Sequence, residues 1–460
     1  MARRTFVRAA AVFGAASLAL AGCSSDSDDS AAGGSGDSAA SATTVTTDCE
    51  PAQATAGATP VTTPLKIGTL LPETGSLAFL GPPEVAAVRL AVDDVNAAGG
   101  VLSQPVELIT GDSGDTTTDT ANSTVDRELA AGTQVIVGAA SSSVSLKVLD
   151  KIASAGVVMF SPANTSDQFV CYPDKGLYFR TAPTDVLQAQ ALAQLISDDG
   201  AQRVSIIALN DPYGTGLATN TQNNLVEAGV PEDQVQKIIY DPNAQSFNAE
   251  VDQIKNFGPD AVAIIGFEES AKILTRMHEV GIGPSDGMLV YGVDGNMGNA
   301  LGEAVAPGLV DTMRGTTPLT DVGPDFQNRL KVIDPALIDF NYAGESYDAV
   351  VISALAAEQA GSTAGVDIAA NINSVTKDGT TCTSYQQCLD LLRGGQDIDY
   401  DGVTGRLNFT DAGEPGIGSY GHLVFGPDNR LTTEDYIVVG EAPTRARQTR
   451  RSGRRRGPPP

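Results

Sequence analysis

The chain has no tryptophan, two histidines in 460 residues, and little positive charge, with 29 basic residues against 56 acidic. Each shortage removes a class of activity. His278 and His422 are too few for the common zinc sites and for imidazole-based triads, so most hydrolase mechanisms lose their ligand or their base. A net charge of −27 leaves no basic surface for a phosphate backbone, which excludes nucleic acid as a partner. Five cysteines cannot be the framework of a chain this long. Its length instead predicts two or three domains with cores of their own.

Arg3, Arg4 and Arg8 precede an apolar run at 9–22, about the length of a signal-peptide core and too short to span a bilayer. The run ends Leu20-Ala21-Gly22-Cys23, which resembles a bacterial lipobox. That resemblance implies cleavage before Cys23, diacylation of its sulfur, and anchoring to the outer face of the cell membrane. Residues 1–22 are thus read as the signal peptide and 23–63, almost all Ser, Ala, Gly, Thr and Asp, as a disordered tether. Residues 442–460, with seven arginines from Arg445 to Arg456 and three closing prolines, read as a disordered basic tail. Between the tether and the tail, 65–441 holds 19 basic residues against 50 acidic. The folded part is therefore more acidic than the total indicates.

Export suits disulfides. Cys382 and Cys388 are six apart on one segment and form a natural local pair, which leaves Cys49 and Cys171 as a second possible pair. Asp397-Ile398-Asp399-Tyr400-Asp401-Gly402 has the look of a calcium loop, but Asn408 stands where an EF-hand places its bidentate glutamate. No metal or cofactor is expected.

Short unbroken apolar runs at 65–71, 106–110, 135–137, 157–160, 204–209, 261–265 and 288–291 alternate with amphipathic segments at 83–98, 144–155, 184–197, 214–228, 247–257 and 269–280. The first helical segment has Val85, Val88, Val92 and Val95 at helical spacing, Pro83 in its first turn and Gly99-Gly100 beyond its end. Unbroken apolar strands belong in parallel sheets covered on both faces, so the class is α/β, doubly wound. The folded length is too great for one sheet, and two are expected.

In open α/β sheets ligands bind beyond the carboxyl ends of the strands. Gly138 to Ser143 and Ser161 to Thr165 place hydroxyls after two neighbouring strands, at or near helix starts. Helix N-termini with adjacent hydroxyls form a socket for a carboxylate, or the hydroxyls simply cap the helices. Phe79 and Leu80, Tyr213 and Phe267 offer apolar and aromatic walls, and Asp294 at a later strand end either meets an ammonium or caps its own turn.

The order Glu73-Thr74-Gly75, Gly138 to Ser143, Ser161 to Thr165, Asp211 to Gly214, Gly292 to Gly295 and Gly402-Val403-Thr404-Gly405 with Phe409 resembles the type I periplasmic binding proteins. Within them it is similar to the leucine/isoleucine/valine-binding receptors of branched-chain amino-acid ABC transporters. The resemblance implies two doubly wound parallel-sheet lobes joined by three crossovers, with lobe 1 at 64–181 and 316–402 and lobe 2 at 182–315 and 403–441. It implies a monomeric, non-enzymatic receptor that closes on an amino acid, branched-chain or otherwise aliphatic, and hands it to membrane permease subunits. By position, Ser142 and Thr165 would take the α-carboxylate, the Ala163 carbonyl would accept from the ammonium, and Asp294 would stand where the family has a glutamate. Tyr213 and Phe267 fall at lobe-2 aromatic positions, and Leu80 replaces an aromatic on the first loop. The alternative is a receptor or sensor for another small carboxylate or amide, such as an aromatic acid.

Overall fold

The computed structural model describes residues 49–440. The apolar runs become two separate sheets. The first has five parallel strands in the order β2 (Glu107–Ile109), β1 (Lys66–Leu70), β3 (Val135–Gly138), β4 (Val158–Ser161) and β5 (Tyr178–Arg180). The second runs β15 (Leu431–Gly440), β14 (Ile417–Phe425), β10 (Arg314–Pro318), β9 (Leu289–Gly292), β8 (Ala261–Ile265), β6 (Val204–Leu209) and β7 (Val235–Tyr240). Its last five are parallel, while β14 and β15 form an antiparallel hairpin. A small third sheet of β11 (Thr380–Cys382), β12 (Ile398–Gly402) and β13 (Gly405–Arg406) flanks the first.

Helices α1 (Gly81–Ala97), α2 (Thr120–Ala130) and α3 (Ser142–Ser154) belong to the first sheet and α4 (Asp185–Asp198), α5 (Pro212–Glu227), α6 (Asn248–Phe257), α7 (Ser270–Glu279) and α8 (Asn299–Ala304) to the second. Then α9 (Gly323–Ile333), α10 (Ala343–Ala360), α11 (Gly365–Ile372) and α12 (Tyr385–Arg393) return to the first lobe. The expected start and stop signals of α1 hold: prolines occupy its first turn, and Gly99 and Gly100 beyond its end take φ of 106° and 74°, a region that glycine enters without strain.

Two crossings lie later than the sequence reading places them. The boundary at 316 falls inside β10, which pairs with β9 and β14 and so belongs to lobe 2. The chain returns to lobe 1 only after Pro318. The boundary at 402 is also early, because Leu407 and Phe409 pack with Phe160 and Phe179 in the lobe-1 core, and the chain rejoins lobe 2 only at β14. Gly402 to Gly405 is therefore the β12–β13 turn of lobe 1, held by Asp348, which accepts from Val403 N and Thr404 N at 2.9 Å each. The first crossing lies between β5 and α4.

The predicted tether needs a similar correction. Its described part, 49–63, is pinned to lobe 1 by Cys49, which is bonded to Cys171, and by backbone hydrogen bonds: Gly57 N donates to Asp367 Oδ1 at 2.6 Å and Val61 N to Ser362 Oγ at 2.9 Å. The segment has no apolar face, so backbone groups rather than burial hold it. Cys382 and Cys388 form the second disulfide, fully buried. The signal peptide with Cys23 and the arginine tail lie outside the described residues.

Among the described residues, several acids are buried without a salt bridge. Glu84 on α1 is pushed well above its ordinary range by burial and then by the charge of Glu345 on α10, while burial raises Glu345 and Glu128 each to about 8. The folded chain thus retains protons that an unfolded one releases above about 4.5. By linkage, stability falls as pH rises from about 4.5 toward 8. Urea midpoints measured at about pH 5 and about pH 8 check this. The midpoint is expected to be lower at the higher pH, and Glu345→Gln to flatten the difference. A midpoint that rises across the interval contradicts it.

Candidate ligand-binding site

The carboxyl ends of both sheets face one another across the crossings, and the loops there carry the predicted residues. Ser142 opens α3, where Ser141 caps the helix by accepting from Val144 N at 3.4 Å. The turn after β4 is held by Ser161, whose hydroxyl donates to Ala139 O at 2.6 Å and accepts from Asn164 N at 2.8 Å. The Asn164 amide donates to Ala139 O and Ala140 O at 3.0 and 2.8 Å, locking this turn to the α3 entry. Ser142, Ala163 and Thr165 are thereby fixed as one surface, all buried.

Arg180 supports that turn from below. Fully buried, it donates through Nη1 to Asn164 O at 3.3 Å and Ser166 O at 2.7 Å, and through Nε to Glu414 Oε2 at 2.8 Å. Burial, the largest influence, would lower the pKa of the guanidinium, but the Glu414 charge and hydrogen bond together with Tyr178 and Asp185 outweigh it and the group stays a cation.

Lobe 2 contributes Tyr213, Phe267 and Asp294. Asp211 caps α5 by accepting from Gly214 N at 2.7 Å, which sets Tyr213 on the first turn. Glu269 accepts from Phe267 N at 3.0 Å and from the Tyr240 hydroxyl at 2.7 Å, fixing the turn after β8. Phe267 lies stacked on Tyr213 with ring centroids 5.6 Å apart. After β9, Asn296 accepts from Val293 N at 2.8 Å and donates to Ile264 O at 3.0 Å, holding Asp294 toward the cleft.

Asp294 accepts from two tyrosines, Tyr213 OH to Oδ1 at 2.7 Å and Tyr342 OH to Oδ2 at 2.8 Å. Burial raises its pKa, while these two hydroxyls and Gln188 lower it again. Asp185, also buried, is pushed well above the usual range, by burial first and then by the charge of Asp294. Of these two neighbouring acids, Asp294 has two tyrosine hydroxyls to favour the anion, against Thr165 alone for Asp185.

One pocket is lined by Leu80, Ser142, Ala163, Thr165, Tyr213, Phe267, Asp294 and Tyr342, so the structure brings together every predicted site residue except Phe79. Phe79 lines an adjoining cavity. Tyr342 and Asp185 were missed. Tyr342 reaches in from lobe 1 on a residue with φ of 58° just before α10, and no local motif marks it. The free volume of the pocket is ≈ 10 Å³, about that of one water. Hydrogen bonds between the lobes close it: Ser143 Oγ to Asp211 Oδ2 at 2.9 Å, Asn341 Nδ2 to Met297 O at 3.2 Å, and Tyr342 to Asp294.

The architecture is two-lobed and α/β, with a buried carboxylate and hydroxyls from the two lobes lining one pocket. The family model described as periplasmic binding protein matches residues 64–408. The chain belongs to the periplasmic binding protein family. Among the relatives of this periplasmic binding protein is Leu/Ile/Val-binding protein homolog 1 of Brucella suis biovar 1 (strain 1330), 28% identical over 302 residues, which span 64% of this chain and 78% of that one. Another is the chemotactic signal transduction system substrate-binding protein BasB of Halobacterium salinarum, 25% identical over 382 residues, 77% of this chain and 86% of that one. Among solved structures, the leucine-binding protein LivK of Thermotoga maritima matches with a TM-score of 0.66 at 22% identity, covering 81% of this chain and 98% of its own. The branched-chain amino acid substrate-binding protein LivJ of Streptococcus pneumoniae, in complex with isoleucine, matches with a TM-score of 0.66 at 21% identity, covering 82% and 100%. The fold of this periplasmic binding protein is type I, and it is a substrate-binding protein rather than an enzyme.

Proposed function

We propose that the chain is the extracytoplasmic receptor of an ABC importer that binds an α-amino acid with an apolar side chain, branched-chain or otherwise aliphatic, between its lobes and passes it to a membrane permease. The observation that carries the reading is Asp294, a buried carboxylate across the pocket from the Ser142 and Thr165 hydroxyls. Such a pair of poles suits the two charges of a zwitterion. The α3 N-terminus and Ser142 would receive the α-carboxylate, and Asp294 with the Ala163 carbonyl the ammonium. Leu80, Tyr213 and Phe267 would wall the start of the side chain. Since the closed pocket has room for little more than a water, the lobes must part about the crossings to admit a ligand. The names of the Brucella and Streptococcus relatives support the aliphatic preference.

Calorimetric titration with the twenty amino acids and a panel of aromatic acids tests the reading. Saturable binding of apolar amino acids is expected, with no binding of carboxylates that lack an ammonium. The relative named for chemotaxis favours a second recipient, a signalling partner in place of the permease; unchanged amino-acid uptake in a strain lacking the chain would select it.

Anchoring through lipid on Cys23 is part of the proposal. Cys23→Ala is expected to move the protein from the membrane fraction to the soluble one, because acyl chains supply the buried methylenes that hold it there. A mature wild-type chain that is already soluble would contradict the anchor.

A further inference from the structure

Beside the polar pocket lies a second, apolar cavity of ≈ 190 Å³. It is walled by Phe79 from lobe 1 and by Phe267, Gly295, Ala300 and Leu301 from lobe 2. Phe267 and Gly295 also line the polar pocket, so the two spaces share a wall. The Gly295 backbone packs directly against Gly266 and Phe267 in that wall, which leaves no room for a side chain at 295. A Cβ there would lie 2.6 Å from Gly266 O and 2.8 Å from the Phe267 ring. Gly298, on the cavity side only, packs as closely against Phe79, whose ring would be 2.7 Å from a Cβ at 298.

The size and the walls define the occupant. An apolar cavity of roughly 150 Å³ is enough to take up benzene, so this one holds a six-membered ring. A valine side chain would leave most of it unfilled and forfeit the contacts of its lining. Phe79 and Phe267 supply two aromatic surfaces, and ring pairs gain beyond their buried area. At the far end, Ser76 and Glu268 line both this cavity and the wider polar opening of ≈ 850 Å³ between the lobes, so a substituent on the ring would reach hydrated polar groups.

We propose that this cavity is the side-chain compartment of the receptor, and that its ligand range extends to aromatic amino acids, with phenylalanine and tyrosine bound at least as tightly as leucine. The inference rests on the zwitterion reading of Ser142 and Asp294 and adds where the side chain goes.

The test is calorimetry on the mature chain with phenylalanine, tyrosine, leucine, valine and alanine, repeated on Ala300→Leu, which fills the cavity from a half-buried position on α8. Phenylalanine is expected to bind at least as tightly as leucine and roughly tenfold or more tighter than valine. Ala300→Leu is expected to lower the ratio of phenylalanine to alanine affinity by roughly tenfold or more. Phe79→Leu, which removes one ring wall, should lower the same ratio and serves if Ala300→Leu does not fold. Leucine bound more tightly than phenylalanine, or variants that leave the ratio unchanged, would overturn the compartment while leaving the zwitterion reading intact. No amino acid bound at all would overturn that reading instead.

Discussion

Asp294→Asn is expected to raise the dissociation constant for any bound amino acid by about 30-fold to several thousand-fold, the equivalent of about 2–5 kcal/mol. The substitution keeps the shape and one hydrogen-bond acceptor for the Tyr213 and Tyr342 hydroxyls, and removes the charge. An ammonium in the pocket would then be desolvated with only the Ala163 carbonyl and neutral hydroxyls around it, which is where the cost arises. The folded protein should tolerate the change, because the carboxylate is itself a buried anion whose pKa burial raises. A melting temperature near that of the wild type together with lost binding is the expected pair of results. Asp294→Asn binding within threefold of the wild type would mean that the residue only caps its own loop.

The second large effect is on stability. Arg180→Met is expected to lower the unfolding free energy by about 3–5 kcal/mol, the cost of leaving one member of a buried ion pair uncompensated. Glu414 would lose its cation in a site where its side chain is 11% exposed, and the carbonyls of Asn164 and Ser166 would lose their donor. The same carbonyls belong to the turn that presents Ala163 and Thr165, so ligand affinity should fall with stability. Denaturant unfolding of Arg180→Met, Glu414→Gln and the double variant separates the terms. The double variant should be more stable than Arg180→Met alone. Equal losses in the two would place the effect in the turn rather than in the ion pair.

How far the residues alone disclose this molecule depends on how each element is buried. β1, β3, β6 and β8 are covered on both faces and appear as continuous apolar runs, which is why they and their intervening helices were legible. β7 sits at the sheet edge and alternates buried Val235, Ile238 and Tyr240 with exposed residues, so it lacks such a run. α10 is buried on nearly every side, from Ala343 to Ala357, and a helix with no polar face has no helical period to detect. The second and third crossings were misplaced for a related reason: β10 owes its lobe to pairing with the distant β14, and the 403–416 segment to packing on Phe160 and the ion pair of Glu414 with Arg180.

The site divides in the same way. Ser142, Ala163, Thr165 and Asp294 follow strands directly, so strand ends located them. Tyr342 lies 48 residues beyond the Asp294 it donates to, on a loop of the other lobe, and only the closed fold joins them. Phe79 and Leu80 are adjacent in sequence, yet Leu80 faces the polar pocket and Phe79 the apolar cavity beside it. Neighbouring side chains on a loop share no fixed face, in contrast with the period of a strand or a helix.

The central claim is that this receptor binds a zwitterion through Asp294 and the Ser142 turn. It is tested most directly by titrating the mature chain with phenylalanine and leucine beside 3-phenylpropanoate and 4-methylpentanoate, which keep the side chain and carboxylate and lack only the ammonium. The account predicts saturable binding of both amino acids and, for both acids, affinity lower by at least about 30-fold. Either acid binding as tightly as its amino-acid counterpart would contradict it.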